Sequence, residues 1–370
     1  TQSRSSAASD VYKRQVYYFS RKIQSYFTGL CGYKIISMNL YLEVNMKKII
    51  NSPEKLVDQM LDGLVKANPN KIERIPDTNV IARIDAPVDG KVGIISGGGS
   101  GHEPAHAGYV GRGMLDCAVA GEIFTSPTPD QVFEAIKKAD AGKGVFMIIK
   151  NYQGDVMNFE MAKEMAEMED IDVDYIIVND DIVVDKKEDR RGVAGTIFVH
   201  KTLGAMAENG VSLKEIKKAA QKIIGDIKTI GMATKPCTNP SDGKESFELS
   251  DDELEMGIGI HGEEGIKKEE MKSADEIVKE MVDRLLEEIK DNDSEYAVMV
   301  NGMGATPEME LYVINNCLAD YLAEKNIKVA RTYIGNFMTS MDMAGFSITL
   351  YKVDDERLKL LDQEVDIVRK

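Results

Sequence analysis

At 370 residues the chain is too long for one ordinary hydrophobic core, so two domains are expected. Its 43 % hydrophobic and 29 % charged residues are the composition of a water-soluble globular protein. A formal net charge of −16 argues against nucleic acid or an anionic membrane as partner. The acidic residues are spread over stretches 160–174, 251–255 and 283–293, the pattern of a solvated surface. Cys31, Cys117, Cys237 and Cys317 lie far apart and form no C-x-x-C pair, which fits a reducing compartment better than a disulfide framework. No apolar run reaches the length of a membrane span, and a cytoplasmic location is expected.

Residues 1–45 read as foreign to the rest of the chain. Ser5-Ser6-Ala7-Ala8-Ser9-Asp10-Val11-Tyr12-Lys13-Arg14-Gln15 resembles a translated sequencing adapter. The basic, tyrosine-rich piece up to Asn45 is taken as a disordered, non-native upstream extension, with Met46 as the native start. From there strand-like and helical segments alternate. Ser52-Pro53 reads as an N-cap with proline at the first helical position, and Leu56, Val57, Met60, Leu61, Leu64 and Val65 mark one apolar face. Strands are expected at 92–95, 145–149 and 175–178, with a helix over 155–168. Ser212-Leu213-Lys214-Glu215 is a capping box opening a helix to about Ile230. The proline-, polar- and glycine-containing stretch 234–246 breaks the pattern, so the first domain is set at 46–232 and the second at 233–370.

The second part repeats the scheme. A strand is expected at 256–260, then a helix capped by Ser273-Ala274-Asp275-Glu276 with Ile277, Met281 and Leu285 on one face. Further strands are expected at 296–300, 327–334 and 346–353, the first of them entering the loop 301–307. Such alternation predicts an α/β fold of two domains, with largely parallel sheets covered on both faces by helices.

Three loops invite chemistry. Ser96-Gly97-Gly98-Gly99-Ser100-Gly101-His102-Glu103-Pro104-Ala105-His106 places two of the four histidines in a glycine-rich turn at a strand end. There a ligand can approach the backbone N–H groups closely. Lys150-Asn151-Tyr152-Gln153-Gly154-Asp155 ends in a carboxylate at a helix start, for which an N-cap is the simpler reading. Gly257-Ile258-Gly259-Ile260-His261-Gly262-Glu263-Glu264-Gly265 sets a histidine between glycines. His102 and His106 have H-x-x-x-H spacing, but Pro104 and the glycines make a poor helix interior, so no metal site is expected. His200 lies in the apolar stretch 197–203 and reads as a packing residue. The chain has no G-x-x-x-x-G-K-[ST] loop, and 97–101 lacks the spacing of a dinucleotide fingerprint.

These loops resemble signature segments of the dihydroxyacetone kinase K-subunit family. So do Gly121-Glu122-Ile123-Phe124-Thr125-Ser126-Pro127-Thr128-Pro129, Arg190-Arg191-Gly192-Val193-Ala194-Gly195 and stretches 301–307 and 340–350, in order from Met46 to about Leu361. The resemblance implies the K-subunit fold and a subunit of a dihydroxyacetone (glycerone) kinase. His261 would bond covalently to the ketone carbon of dihydroxyacetone as a hemiaminal, and Asp155 would assist phosphoryl transfer. His102 would hydrogen-bond the substrate, with Lys150 and the backbone around Gly99, Ser100 and Gly101 nearby. It further implies a homodimer that binds no cofactor itself. ADP or ATP and Mg2+ would sit on a separate L subunit, recharged by the phosphotransferase system through an M subunit. A non-catalytic paralogue that senses dihydroxyacetone and co-activates a transcription regulator is the alternative. The chain departs from the family pattern at Asn239, Ser241-Asp242, Glu264 and the C-terminus 362–370, which bears on the rim of the site and on fine substrate preference.

Overall fold

The run Val145–Lys150, V-F-M-I-I-K, is buried at every position, as a strand covered on both faces must be. Its odd residues Val145, Met147 and Ile149 face one core and its even residues Phe146 and Ile148 another. The computed structural model describes residues 48–290 and 293–369, and the extension expected over 1–45 lies outside them. In the first half, β1 (Ile72–Arg74), β2 (Val80–Arg83), β3 (Gly93–Ser100), β5 (Cys117–Ile123), β6 (Val145–Lys150) and β7 (Val173–Val178) form a six-stranded sheet of order β1-β2-β5-β3-β6-β7. The four strands β5, β3, β6 and β7 run parallel. The short β4 (Gly111–Arg112) pairs instead with β14 (Asp366–Ile367).

Helices cover both faces of this sheet. α2 (Pro129–Ala139) and α3 (Gln153–Glu167) bury Val132, Ile136, Phe159 and Ala162 on the Met147 side. α1 (Leu56–Ala67), α4 (Thr196–Glu208) and α5 (Leu213–Ile223) bury Leu61, Val199, Leu203 and Ile216 on the Phe146 side. The capping box at Ser212 forms in both directions. Ser52 makes no side-chain cap, and Pro53 opens a 3-10 turn ahead of α1.

The second sheet departs from expectation. β8 (Ile227–Lys235), β9 (Glu253–Met256), β10 (Lys267–Glu270), β11 (Glu295–Gly302), β12 (Lys328–Gly335) and β13 (Ala344–Val353) lie in the order β10-β9-β8-β13-β11-β12. Only β11 and β12 are parallel; every other pair is antiparallel. Neither β8 to β9 nor β12 to β13 is joined by a helix, and strands joined without a crossover helix can run antiparallel. Strands buried on both faces give the same continuous apolar runs in either direction, so the sequence pattern could not tell them apart. α6 (Ala274–Ile289), with its Ser273 capping box formed, and α7 (Glu308–Glu324) cover one face. On the other face Met299, Tyr351 and Val353 join the core of α4 and α8 (Asp355–Asp362), so the two sheets share cover.

Two boundaries shift. The helix expected to reach Ile230 ends at Ile223, and Ile227, Thr229 and Ile230 are buried in β8, where β-branched residues fit the pleat. The expected domain boundary between 232 and 233 therefore falls inside a strand. The strand expected at 256–260 ends at Met256, leaving His261 in a loop. Among the described residues no helix is long and apolar enough to cross a membrane. Cys117, Cys237 and Cys317 are free thiols; Cys31 lies outside the described residues.

The joint between the sheets is built on backbone and one acid. Thr229 N–H donates to Asp180 O at 2.8 Å, and Ile182 N–H to Thr229 O at 2.9 Å. The Asp180 carboxylate accepts from Val193 N and Gly195 N at 2.8 Å and from the Thr229 hydroxyl at 2.5 Å. A separate buried ion cluster ties the first sheet to α4. Asp116 accepts from Lys91 Nζ at 2.8 Å, Arg83 Nη1 at 3.0 Å and Ile94 N–H at 2.7 Å, and both cations also meet Glu208. Removing one partner of a buried ion pair leaves uncompensated charge, which costs about 3–5 kcal/mol. Asp116→Ala is expected to lower unfolding stability by that amount in urea titrations. A loss below about 1 kcal/mol, the range of exposed pairs, would mean that the cluster is solvated.

Candidate active site

Strand ends and loops bring the site together. The Gly-rich segment leaves the carboxyl end of β3, Lys150 ends β6, and Asp155 lies in the first turn of α3. His261 comes from the loop after β9, and Thr339 from the loop between β12 and β13. That last loop clamps the first: Thr339 N–H donates to His102 O at 3.2 Å and Met341 N–H to Gly101 O at 2.7 Å. Tyr109 OH donates to Phe337 O at 2.7 Å.

Two histidines 159 residues apart meet head-on, with His102 Nε2 3.0 Å from His261 Nε2. His102 Nδ1 lies 2.7 Å from Thr339 O, which only accepts, so that nitrogen carries the proton. Burial, together with the positive charges of His261 and Lys150, holds the His102 pKa well below its usual 6.5. His102 is therefore neutral near pH 7, with a lone pair on Nε2, and His261 Nε2 must donate across the 3.0 Å contact. On its other side, His261 Nδ1 is 2.8 Å from Glu263 Oε1, and His261 N–H donates to Glu263 Oε2 at 2.9 Å. Burial pushes the Glu263 carboxyl up, but hydrogen bonding and charge from His261 outweigh it and bring its pKa to about 2. The chain Glu263–His261–His102–Thr339 is complete when His261 has protons on both ring nitrogens.

Aromatic rings enclose this pair. Phe124 stacks on His102 at 5.1 Å and meets His261 edge-on at 5.1 Å, while Tyr152 meets His261 edge-on at 4.5 Å. His102 is fully buried, whereas the His261 side chain is 20 % exposed, so the second imidazole is the one a solute reaches first.

Lys150 and Asp155 form the second half, with Nζ and Oδ2 3.4 Å apart and both side chains buried. Gly98 lies directly over them; a Cβ there would sit 2.5 Å from Lys150 Nζ and 3.3 Å from Asp155 Oδ2. The N-cap reading of Asp155 does not hold. Tyr152 occupies the N-cap position, and Asp155 turns its carboxylate to Lys150 instead.

The other expected residues sit at the margin. Gly99 packs against the backbone of Phe124 and Thr125, and the Ser100 hydroxyl donates to Gly121 O at 2.6 Å. Gly101 N–H donates to Glu103 Oε1 at 3.1 Å. His106 is not brought to His261; it is buried beside His200, ring centroids 5.1 Å apart, with Nδ1 3.3 Å from Ser96 Oγ. Among the described residues, no three or more histidine, cysteine or acidic side chains converge as a metal-ligand set. Sequence reasoning missed Glu263, Thr339, Phe124 and Tyr152 as members of the site. Glu263 stands two positions after His261 within a segment singled out for its histidine, and Tyr152 stands three before Asp155. Thr339 acts through its carbonyl, which residue type does not reveal.

Comparison with known proteins identifies the family. A family model described as the Dak1 domain matches residues 62–369. The chain is 54 % identical over 327 residues to the dihydroxyacetone-binding subunit DhaK of the PTS-dependent dihydroxyacetone kinase of Lactococcus lactis, covering 87 % of this chain and 98 % of that one. It is 43 % identical over 349 residues to the dihydroxyacetone-binding subunit DhaK of the PEP-dependent kinase of Escherichia coli, covering 86 % and 98 %. Among solved structures, the dihydroxyacetone kinase of C. freundii in complex with AMP-PNP and Mg2+ superposes with a TM-score of 0.82 at 34 % identity, covering 88 % of this chain and 60 % of that one. The dihydroxyacetone kinase operon co-activator Dha-DhaQ superposes with a TM-score of 0.79 at 41 % identity, covering 83 % and 96 %. Matched over nearly its whole described length, the chain belongs to the Dak1 family, that of the dihydroxyacetone-binding K subunits of dihydroxyacetone kinase.

Proposed function

We propose that this chain is the substrate-trapping subunit of a dihydroxyacetone kinase, holding dihydroxyacetone as a hemiaminal on His261 while a partner L subunit delivers the phosphoryl group. The observation that carries this reading is the Glu263–His261–His102–Thr339 chain, which has the parts needed to create a nucleophilic imidazole and to recover the proton it sheds. The 3.0 Å contact leaves no room for a carbon atom, so the substrate must first break the His102–His261 hydrogen bond.

Trapping balances in protons and electrons. The Nε2 proton of His261 passes to His102 Nε2, leaving a lone pair on His261 Nε2 and Nδ1–H on the Glu263 carboxylate. The lone pair attacks the carbonyl carbon, a C–N bond forms, and the π pair moves to oxygen. His102 returns its proton to that oxygen. The product is a substituted imidazolium paired with Glu263, and no water is lost. A glycerol molecule has no carbonyl to attack, so the trap selects short ketoses and aldehydes. Fixing the substrate also removes much of the orientational cost of the next step. In that step the Asp155 carboxylate takes the proton of the terminal hydroxyl as its oxygen attacks phosphorus, with Lys150 beside it to steady the charge. Nucleotide and Mg2+ are assigned to the L subunit, with the phosphotransferase system recharging it through the M subunit, and the chain itself to a homodimer.

Incubation with dihydroxyacetone is expected to raise the intact mass by that of the whole substrate, since a hemiaminal retains the water that a Schiff base loses. His261→Ala is expected to abolish the adduct; an adduct that persists in this variant sinks the assignment. Asp155→Asn is expected to keep the adduct but to lower phosphoryl transfer by about 10²–10⁴-fold in assays with L subunit and donor, the usual range for general base catalysis. Unchanged transfer would leave Asp155 as a helix-start residue only. Without an L subunit, ATP is expected to give no phosphorylation; robust ATP-dependent turnover by this chain alone would overturn the division of labour. A chain that forms the adduct yet transfers no phosphate with any L subunit would match the co-activator reading, which the similarity to Dha-DhaQ favours.

A further inference from the structure

The second arginine of Arg190-Arg191 has no part in trapping or phosphoryl transfer, yet it is directed at the trapping loop. Arg191 is buried, and Asp181 fixes it through Arg191 Nε and Nη2, each 2.7 Å from Asp181 Oδ2. Nη2 also donates to Gly257 O at 3.0 Å, tying the guanidinium to the loop that carries His261. Its remaining end, Nη1, and Glu263 Oε2 converge on the space that a side chain at position 259 would fill, which Gly259 leaves open. Arg191 thus faces the same carboxylate that grips His261.

We propose that Arg191 is a positioning residue for the trap: its fixed positive charge offsets the Glu263 carboxylate and so eases the passage of the His261 Nε2 proton to His102. The proposal rests on the trapping reading of His261. A carboxylate hydrogen-bonded to an imidazole favours the doubly protonated ring, whereas attack on a carbonyl needs the lone pair. The charged and titratable groups around His261 are Glu263 and Arg191, His102 across the 3.0 Å contact, Tyr152 at its edge, and Asp181 and the Lys150–Asp155 pair behind them. Lys150 and Asp155 offset each other, whereas Arg191 stands between Asp181 and Glu263, so its loss removes the cation that faces Glu263. Arginine suits the task because its planar fork binds Asp181 and the Gly257 carbonyl while a third edge points to Glu263.

The test is adduct formation with dihydroxyacetone read by intact mass across about pH 5–9, the range over which a histidine titrates, and it needs no L subunit. Arg191→Gln is expected to move the pH midpoint of trapping up by about one unit, a roughly tenfold loss of rate on the acid side that recovers at high pH. Arg191→Lys is expected to restore most of the shift. The paired variant Asp181→Asn/Arg191→Gln, which leaves no uncompensated buried carboxylate at position 181, is expected to shift the midpoint up by less, because a negative charge goes with the positive one, and carries the test should Arg191→Gln fail to fold. In a Glu263→Gln background, loss of Arg191 is expected to move the midpoint little. A rate lowered equally at every pH, with the midpoint unmoved, would reduce Arg191 to a structural tie and overturn the proposal. Absence of an adduct in the wild-type chain would instead overturn the trapping reading itself.

Discussion

Everything in this site depends on one hydrogen bond between two imidazoles that belong to different sheets. His102 arrives on the loop that leaves β3, and His261 on the loop after β9. Neither could be held at 3.0 Å by its own loop. The β12–β13 loop fixes the first ring through the Thr339 carbonyl, and Glu263 fixes the second. Each fixing group also assigns a proton, because a backbone carbonyl and an ionised carboxylate only accept. Geometry and protonation are thus set by the same two contacts, which makes the pair a poised acid–base couple.

The fold was legible where hydrophobic pattern is a sufficient guide. Runs such as 145–149, and capping boxes at Ser212 and Ser273, pointed to the α/β class and the positions of most elements. Strand direction was not legible in the second sheet, because strands buried on both faces read as the same apolar runs in both kinds of ladder. The extent of the helix after Ser212 was misjudged for a related reason. Lys222, Ile223 and Ile224 continue the helical pattern of apolar and basic residues into Ile227 and Ile230, and only pairing with β13 decides that the latter are strand.

For the site, glycine-flanked histidines at strand ends and a carboxylate at a helix start pointed to His102, His261 and Asp155, and the family resemblance supplied their roles. The supports were less visible. Glu263 and Tyr152 lay in segments marked for other residues, while Thr339 and Phe124 act through a backbone oxygen and a ring face. Such partners become known only when the loops are brought together. The glycines were read as places where a ligand can approach the backbone, whereas at Gly98 it is the lysine–aspartate pair that leaves no space for a Cβ.

The separation of the contacts along the chain has a consequence for biosynthesis. His102 meets a ring 159 positions later and a carbonyl 237 positions later. A ribosome must therefore release most of the second sheet before the imidazole pair can form. Until then the growing polypeptide carries His102 with neither the Thr339 carbonyl to assign its proton nor the His261 ring to meet it. Contacts so distant in sequence also slow the search for the native state. The imidazole pair is thereby assembled only when folding is nearly finished.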